Sequence, residues 1–204
     1  MPDSPDAGPS PAASRHPGEE HGAGASQADS PHRWHTSIVI GLLGLGTALA
    51  ANSLIRDSVT FDETSHLTAG LSVLKTGDFR LAPDHPPLGK LWCAWPLLLV
   101  DHRWPPDDSR AWQDATVFNV GRAFLFERND GQRLVVIGRC MMVVLWLATV
   151  LATYAAARQI SGRAAGLLAL TLAVLCPTLL AHGRLVTTDV PITLAVLLTL
   201  LAFG

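Results

Sequence analysis

Residues 36–55 read TSIVIGLLGLGTALAANSLI, twenty residues without a charge. A helix rising 1.5 Å per residue covers roughly 30 Å over that length, about the thickness of a bilayer's hydrocarbon core. Three more apolar runs follow. Cys140 to Ala157 is extended on its N-terminal side by Leu134 to Gly138, with Arg139 near its start; Ala164 to Ala181 carries Pro177 near its end; another run begins at Val190. Several charge-free runs of near-spanning length predict an all-α, multi-span transmembrane helical protein, with about four spans across residues 36–204. The last run reaches only about fifteen residues before Gly204. A helix cut there leads to the expectation that the chain is the N-terminal part of something longer.

Composition agrees. Of 204 residues, 49% are hydrophobic and 16% charged, with a mean hydropathy of +0.29, against roughly 25% charged residues in an average soluble domain. A net charge of -2 and a pI near 6.4 leave no basic footprint for nucleic acid. The three cysteines are odd in number and lack metal spacing; Cys140 and Cys176 fall inside apolar runs and read as small hydrophobes. Residues 1–35 are rich in Pro, Ala, Ser, Gly and Asp without apolar periodicity, and read as a disordered cytoplasmic tail. Ala48-Leu49-Ala50 also has the small-residue form of a signal-peptide cleavage site, so cleavage after Ala50 stands as the alternative to an uncleaved anchor. Both readings deliver Arg56 onward to the outside.

Short loops set the expected orientation. RQISGR, residues 158–163, carries two arginines and no acid, whereas HGRLVTTD, residues 182–189, carries Arg184 and Asp189. This bias favours a cytoplasmic N-terminus in a multi-pass protein of the cell membrane. It places a large outer loop, residues 56–133, on the same side as residues 182–189. Within that loop Leu88 to Val100 is apolar but too short to span and is expected to lie in the interface, followed by Trp104, Pro105, Pro106 and Trp112 near the headgroups.

The chemistry sits in residues 61–90, FDETSHLTAGLSVLKTGDFRLAPDHPPLGK. Thr60 to Glu63 has the S/T-x-x-E form of a capping box, which explains Glu63 about as well as catalysis does, while Asp62 is less needed for the cap. The helix so started carries Leu67, Leu71 and Leu74 at helical spacing, ends near Gly77, and reads as amphipathic on the membrane surface. His66 lies four residues after Asp62 and three after Glu63, so either carboxylate can share its face. With Asp84 and His85 it makes a divalent metal conceivable, although the spacing is not HExxH; the other reading is an interfacial histidine held by one hydrogen bond. The prolines around His85 stiffen that connector. Lys90 is either a snorkelling lysine or a phosphate ligand. Arg139 needs a way to snorkel or an anion to bind, and Asp189 is equally a helix-N-terminal carboxylate. The readings open at this point are an enzyme, a transporter or channel segment, a metal-dependent membrane hydrolase, and a non-catalytic membrane fragment.

The ordered set DExxHLxxGxxxLxxGDFRLxPxHPPLxKL, LFxRND, an Arg-led second span and AHGRLVTTDVP resembles bacterial glycosyltransferases of family 39. These are similar to protein O-mannosyltransferases and the lipid A aminoarabinose transferase, within the GT-C class. The resemblance covers about residues 36–204. It implies transfer of a sugar from a polyprenyl-phosphate carrier to a hydroxyl of an acceptor protein or glycan, with inversion, outside the membrane. It further implies Asp62 as base with Glu63 beside it. His66, His85, Lys90, Arg139 and Asp189 become substrate-binding candidates, Lys90 and Arg139 for the carrier phosphate. No cofactor is expected, and no nucleotide-binding glycine loop appears in the sequence.

Overall fold

Each apolar run closes its backbone hydrogen bonds within itself, and each is helical in the computed structural model, which describes residues 30–106 and 108–203. The expected tail lies outside the described residues up to position 29. Helix α1, Ser30–Leu54, begins six residues before Thr36. No strand occurs among the described residues.

Helix α6, Gly131–Leu175, runs 45 residues and would measure roughly 68 Å if straight. It is broken at Gly162, whose φ of 83° and ψ of -173° are not helical. Beyond that point the chain folds back. A Cβ on Gly166 would lie 2.9 Å from the Arg158 Cβ and 3.1 Å from the Tyr154 ring, a proximity that a straight helix does not allow across eight and twelve residues. The expected second and third spans are thus the two arms of a hairpin, residues 131–161 and 163–175. The second arm stops sooner than expected. Cys176 is extended (φ -66°, ψ 116°), and Pro177 occupies the first position of α7, Pro177–His182, where a missing amide costs nothing.

The first arm runs antiparallel to α1. At its start Gln132 Nε2 donates to the Ile55 and Asp57 carbonyls (3.3 and 3.0 Å), and near its end the Tyr154 ring lies 6.0 Å from that of His35. Trp146, fully buried, packs against Gly46 of α1 and Gly183. Helix α8, Asp189–Phe203, is apolar and 15 residues long. Among the described residues, two helices have both the length and the apolarity to cross a bilayer, α1 over Arg33–Leu54 and α6 over Gly131–Leu175. Ile38, Ile40, Leu45 and Leu49 on α1, Leu168 and Leu172 on α6, and Val196 and Leu200 on α8 are all exposed. So broad an apolar exterior suits lipid rather than water.

Between α1 and α6 the chain forms a cap of short helices: α2, Phe61–Thr76; α3, Pro87–Ala94, running into a 3-10 turn at Trp95–Leu99; α4, Arg110–Gln113; and α5, Val117–Arg122, running into a π turn at Ala123–Glu127. Helix α2 is capped as its sequence predicts, by the Thr60/Glu63 box at one end and a left-handed Gly77 (φ 71°) at the other. It does not lie amphipathically on a surface. All ten residues from Glu63 to Ser72 are buried, because α3, α5 and α6 pack around it. Leu67 and Leu71 have no exposed surface, each contributing roughly 1.5–3 kcal/mol. Trp112, expected at the headgroups, is buried instead in a small cluster with Leu81, Ala82 and Val120. The π turn is tied down by Asn129, which donates to the Phe124 and Arg103 carbonyls (2.7 and 2.9 Å) and accepts from the Arg103 amide, while Asp130 caps α6 through the Arg133 amide at 3.1 Å.

Candidate active site

Adjacent positions on a helix point about 100° apart, and Asp62 and Glu63 accordingly do different work. Glu63 turns into the bundle. Its carboxylate accepts Arg139 Nε and Nη2, both at 2.7 Å, the Thr60 amide at 2.9 Å, the Thr60 hydroxyl at 3.0 Å and the Val186 amide at 3.1 Å. Both side chains of the Glu63–Arg139 pair are wholly buried. Burial alone would raise the Glu63 carboxyl, but the Arg139 and backbone hydrogen bonds prevail and hold it below its ordinary value.

Arg139 is spent on the fold. Nη1 donates to the Leu54 and Asp57 carbonyls (2.7 and 2.9 Å) and Nη2 also to the Ser58 carbonyl (2.9 Å). Together with the two bonds to Glu63 these use all five guanidinium donors. No N–H of Arg139 remains for the carrier phosphate, so the phosphate-ligand reading of this residue gives way to a structural one. Arg139 closes the turn between α1 and α2, and Glu63 fastens that turn to the loop before α8. A second tie runs from Arg184 to the Asp57 carboxylate. The loop 182–189 and the residues that link α1 to α2 therefore meet.

Asp62 faces the other way. It is exposed and lines a cavity of about 120 Å³ with Ser65, His66, Asp84, His85 and Phe118. The His66 and His85 rings meet edge to face, with centroids 4.8 Å apart, and His85 Nδ1 lies 2.9 Å from Asp84 Oδ2. His66 is 5% exposed, and its Nδ1 has no partner among the described residues. Burial, then the neighbouring His85, lowers its pKa below 6.5, against the pull of Asp62. Phe61 stacks on Phe118 at 3.8 Å beside the opening.

Lys90 is buried, not snorkelling. Its Nζ donates to the Ala82 carbonyl at 2.7 Å, a group held by a positive φ of 51° at a non-glycine residue. Burial lowers its pKa, with Asp84 opposing. One bond uses one of three ammonium donors. Asp189 makes its contacts apart from these groups: its Oδ2 lies 3.3 Å from His182 Nδ1 and its carbonyl accepts from Thr193. Among the described residues, no group of three or more His, Cys, Asp or Glu is arranged to hold a metal ion. Cys93, buried under α2, is pushed up to about 12 and stays a thiol.

Sequence reasoning did not find Asp57, Arg184, Ser65 or Phe118. Asp57 and Arg184 are 127 positions apart and carry no local signature.

The fold and site define a helical membrane protein with an acid–histidine cavity at one end of its bundle. Residues 125–204 match the family model of dolichyl-phosphate-mannose-protein mannosyltransferase. That stretch takes in the LFxRND motif, the α6 hairpin and AHGRLVTTDVP, and over those residues the match supports the resemblance to family 39 glycosyltransferases. No curated protein and no solved structure matches the chain.

Proposed function

We propose that the chain forms part of a membrane glycosyltransferase that moves a sugar, mannose by analogy with the family model that residues 125–204 match, from a polyprenyl-phosphate carrier to an acceptor hydroxyl, with Asp62 as base and inversion at the sugar carbon. One observation carries this reading: of two adjacent acids, Glu63 is consumed by the fold while Asp62 is open to a cavity floored by histidines. In the reaction the Asp62 carboxylate takes the hydroxyl proton as the acceptor oxygen attacks the sugar carbon, and the carrier leaves from the opposite face as lipid phosphate. That leaving group needs cations rather than an acid. Lys90 has donors to spare for it, and His66 and His85 are placed to hydrogen-bond donor or acceptor. Asp189 is assigned a supporting role at the acceptor side, and the outer face of the cell membrane is the proposed location, with the N-terminus cytoplasmic.

Asp62→Asn in membranes carrying the full-length protein tests the assignment. Asp62 is exposed and its side chain is not tied into the fold as that of Glu63 is, so the substitution should shift stability by less than about 0.5 kcal/mol. Transfer from a polyprenyl-phosphate sugar is expected to fall by at least roughly 100-fold, the usual scale of a lost general base. Wild-type transfer by a folded Asp62→Asn protein would overturn the assignment.

A further inference from the structure

The end of the bundle remote from Asp62 holds a second concavity, of about 200 Å³, lined by His35, Thr36, Val39, Tyr154, Arg158 and Arg163. It exists because α6 turns at Gly162 and lets Arg163 return beside Arg158. The Arg158 guanidinium lies over the Tyr154 ring, 5.9 Å from its centroid, and Nη1 donates to the Tyr154 hydroxyl at 3.1 Å. That single bond leaves most of the guanidinium fork free to face an anion. His35 Nε2 is buried without a partner among the described residues.

Nothing described balances this charge. Residues 30–56 and 131–188 contain neither Asp nor Glu, and none of the described carboxylates pairs with Arg158 or Arg163. Two arginines, a histidine and a tyrosine around one hollow suit a tetrahedral oxyanion, to which arginine's planar fork binds bidentately. The hollow lies where two membrane-length helices end, beside Trp34, which is 72% exposed, and Ile160, which is 83% exposed. Exposed tryptophan at a helix end marks headgroup level. We propose that this pocket binds a phosphate group presented by an anionic phospholipid, at the membrane surface opposite the candidate active site. Binding there would pin α1 to the α6 hairpin.

The test is binding of a soluble short-chain phosphatidylglycerol to the full chain in neutral detergent, measured by native mass spectrometry beside phosphatidylcholine and inorganic phosphate. Phosphatidylglycerol is expected to bind in preference to phosphatidylcholine. Arg158→Gln with Arg163→Gln should weaken it by roughly 30-fold, and Arg163→Gln alone, at an exposed site, by roughly fivefold. Arg33→Gln, outside the pocket, should leave it unchanged. The proposal is overturned by equal binding of the two lipids, by Arg163→Gln binding like wild type, or by an equal loss in Arg33→Gln, which would reduce the effect to general surface charge. Inorganic phosphate binding as tightly as phosphatidylglycerol would overturn the lipid assignment and leave a free-phosphate site.

Discussion

Glu63 and Arg139 show how much one residue's role depends on partners far away in the chain. The capping box was legible because it joins positions three apart, and the structure has both of its bonds. The ion pair was not, because 76 positions separate its members and no local rule connects them. An arginine near the start of an apolar run therefore looked available for an anion, when the fold had already taken every donor. Removing one partner strands the other without solvent, so Arg139→Ala should destabilise by roughly 3–5 kcal/mol, whereas Arg139→Met with Glu63→Gln should cost less than the sum of the single changes; thermal unfolding in detergent measures both. Titration gives a second prediction at this scale. His66 has its folded pKa lowered below 6.5 and Glu63 below 4.5. In each case the unfolded chain takes up a proton before the folded one, so stability is lost as pH falls, through His66 from about 6.5 downward and through Glu63 from about 4.5 downward. A thermal midpoint that falls on acidification below 6.5 in wild type, and falls less in His66→Gln, is the expected result.

At the scale of the element, periodicity located the helices but not their neighbours. The leucines of α2 marked one buried face; that its other faces were also covered depends on α3, α5 and α6, which arrive from separate parts of the chain. Gly70 shows what the closeness demands. A Cβ there would overlap the Lys90 carbonyl, with the carbonyl carbon 2.6 Å away, and would press on the Ala94 Cβ at 3.0 Å. Backbone cannot step aside as a flexible side chain does. Gly70→Ala should therefore separate α2 from α3 and cost about 1–3 kcal/mol. Because Lys90 and Asp62 lie on these two helices, sugar transfer should fall with it. Gly41 of α1 has nothing within 4 Å, and Gly41→Ala should be neutral or stabilise by up to about 1 kcal/mol through helix propensity alone. A like response of both variants in thermal unfolding would contradict the packing described for α2 and α3.

For the whole molecule the decisive position is Gly162. The sequence marked a short basic loop between two spans, and that loop exists as little more than one residue's reversal. With φ at 83° and ψ at -173°, Gly162 occupies a region that is essentially closed to residues with a Cβ, at a cost of about 1–3 kcal/mol. The surroundings add nothing, since nothing lies within 4 Å of where a Cβ would be, so Gly162→Ala isolates the backbone term. The hairpin also decides what the rest of the chain can reach. It brings Val174 and Gly183 to Trp146 and returns residues 182–189 to the α1–α2 turn, where Val186 meets Glu63 and Arg184 meets Asp57. A chain that continued straight through residue 162 would carry that loop away from Asp62 altogether. Cross-linking reads the geometry directly. In a straight helix, positions 158 and 166 lie roughly 12 Å apart along the axis, beyond the Cα separation of about 7 Å that a disulfide tolerates. In the hairpin their Cβ positions are 2.9 Å apart, and a small outward shift brings them to a bonding distance. Arg158→Cys with Gly166→Cys should form a disulfide on mild oxidation, detected by mass spectrometry of the linked peptides, and adding Gly162→Ala should slow its formation and lower the thermal midpoint of the reduced protein. Failure of the pair to link in the Gly162 background would mean that the second arm does not fold back, and the contact of residues 182–189 with the α1–α2 turn would fall with it.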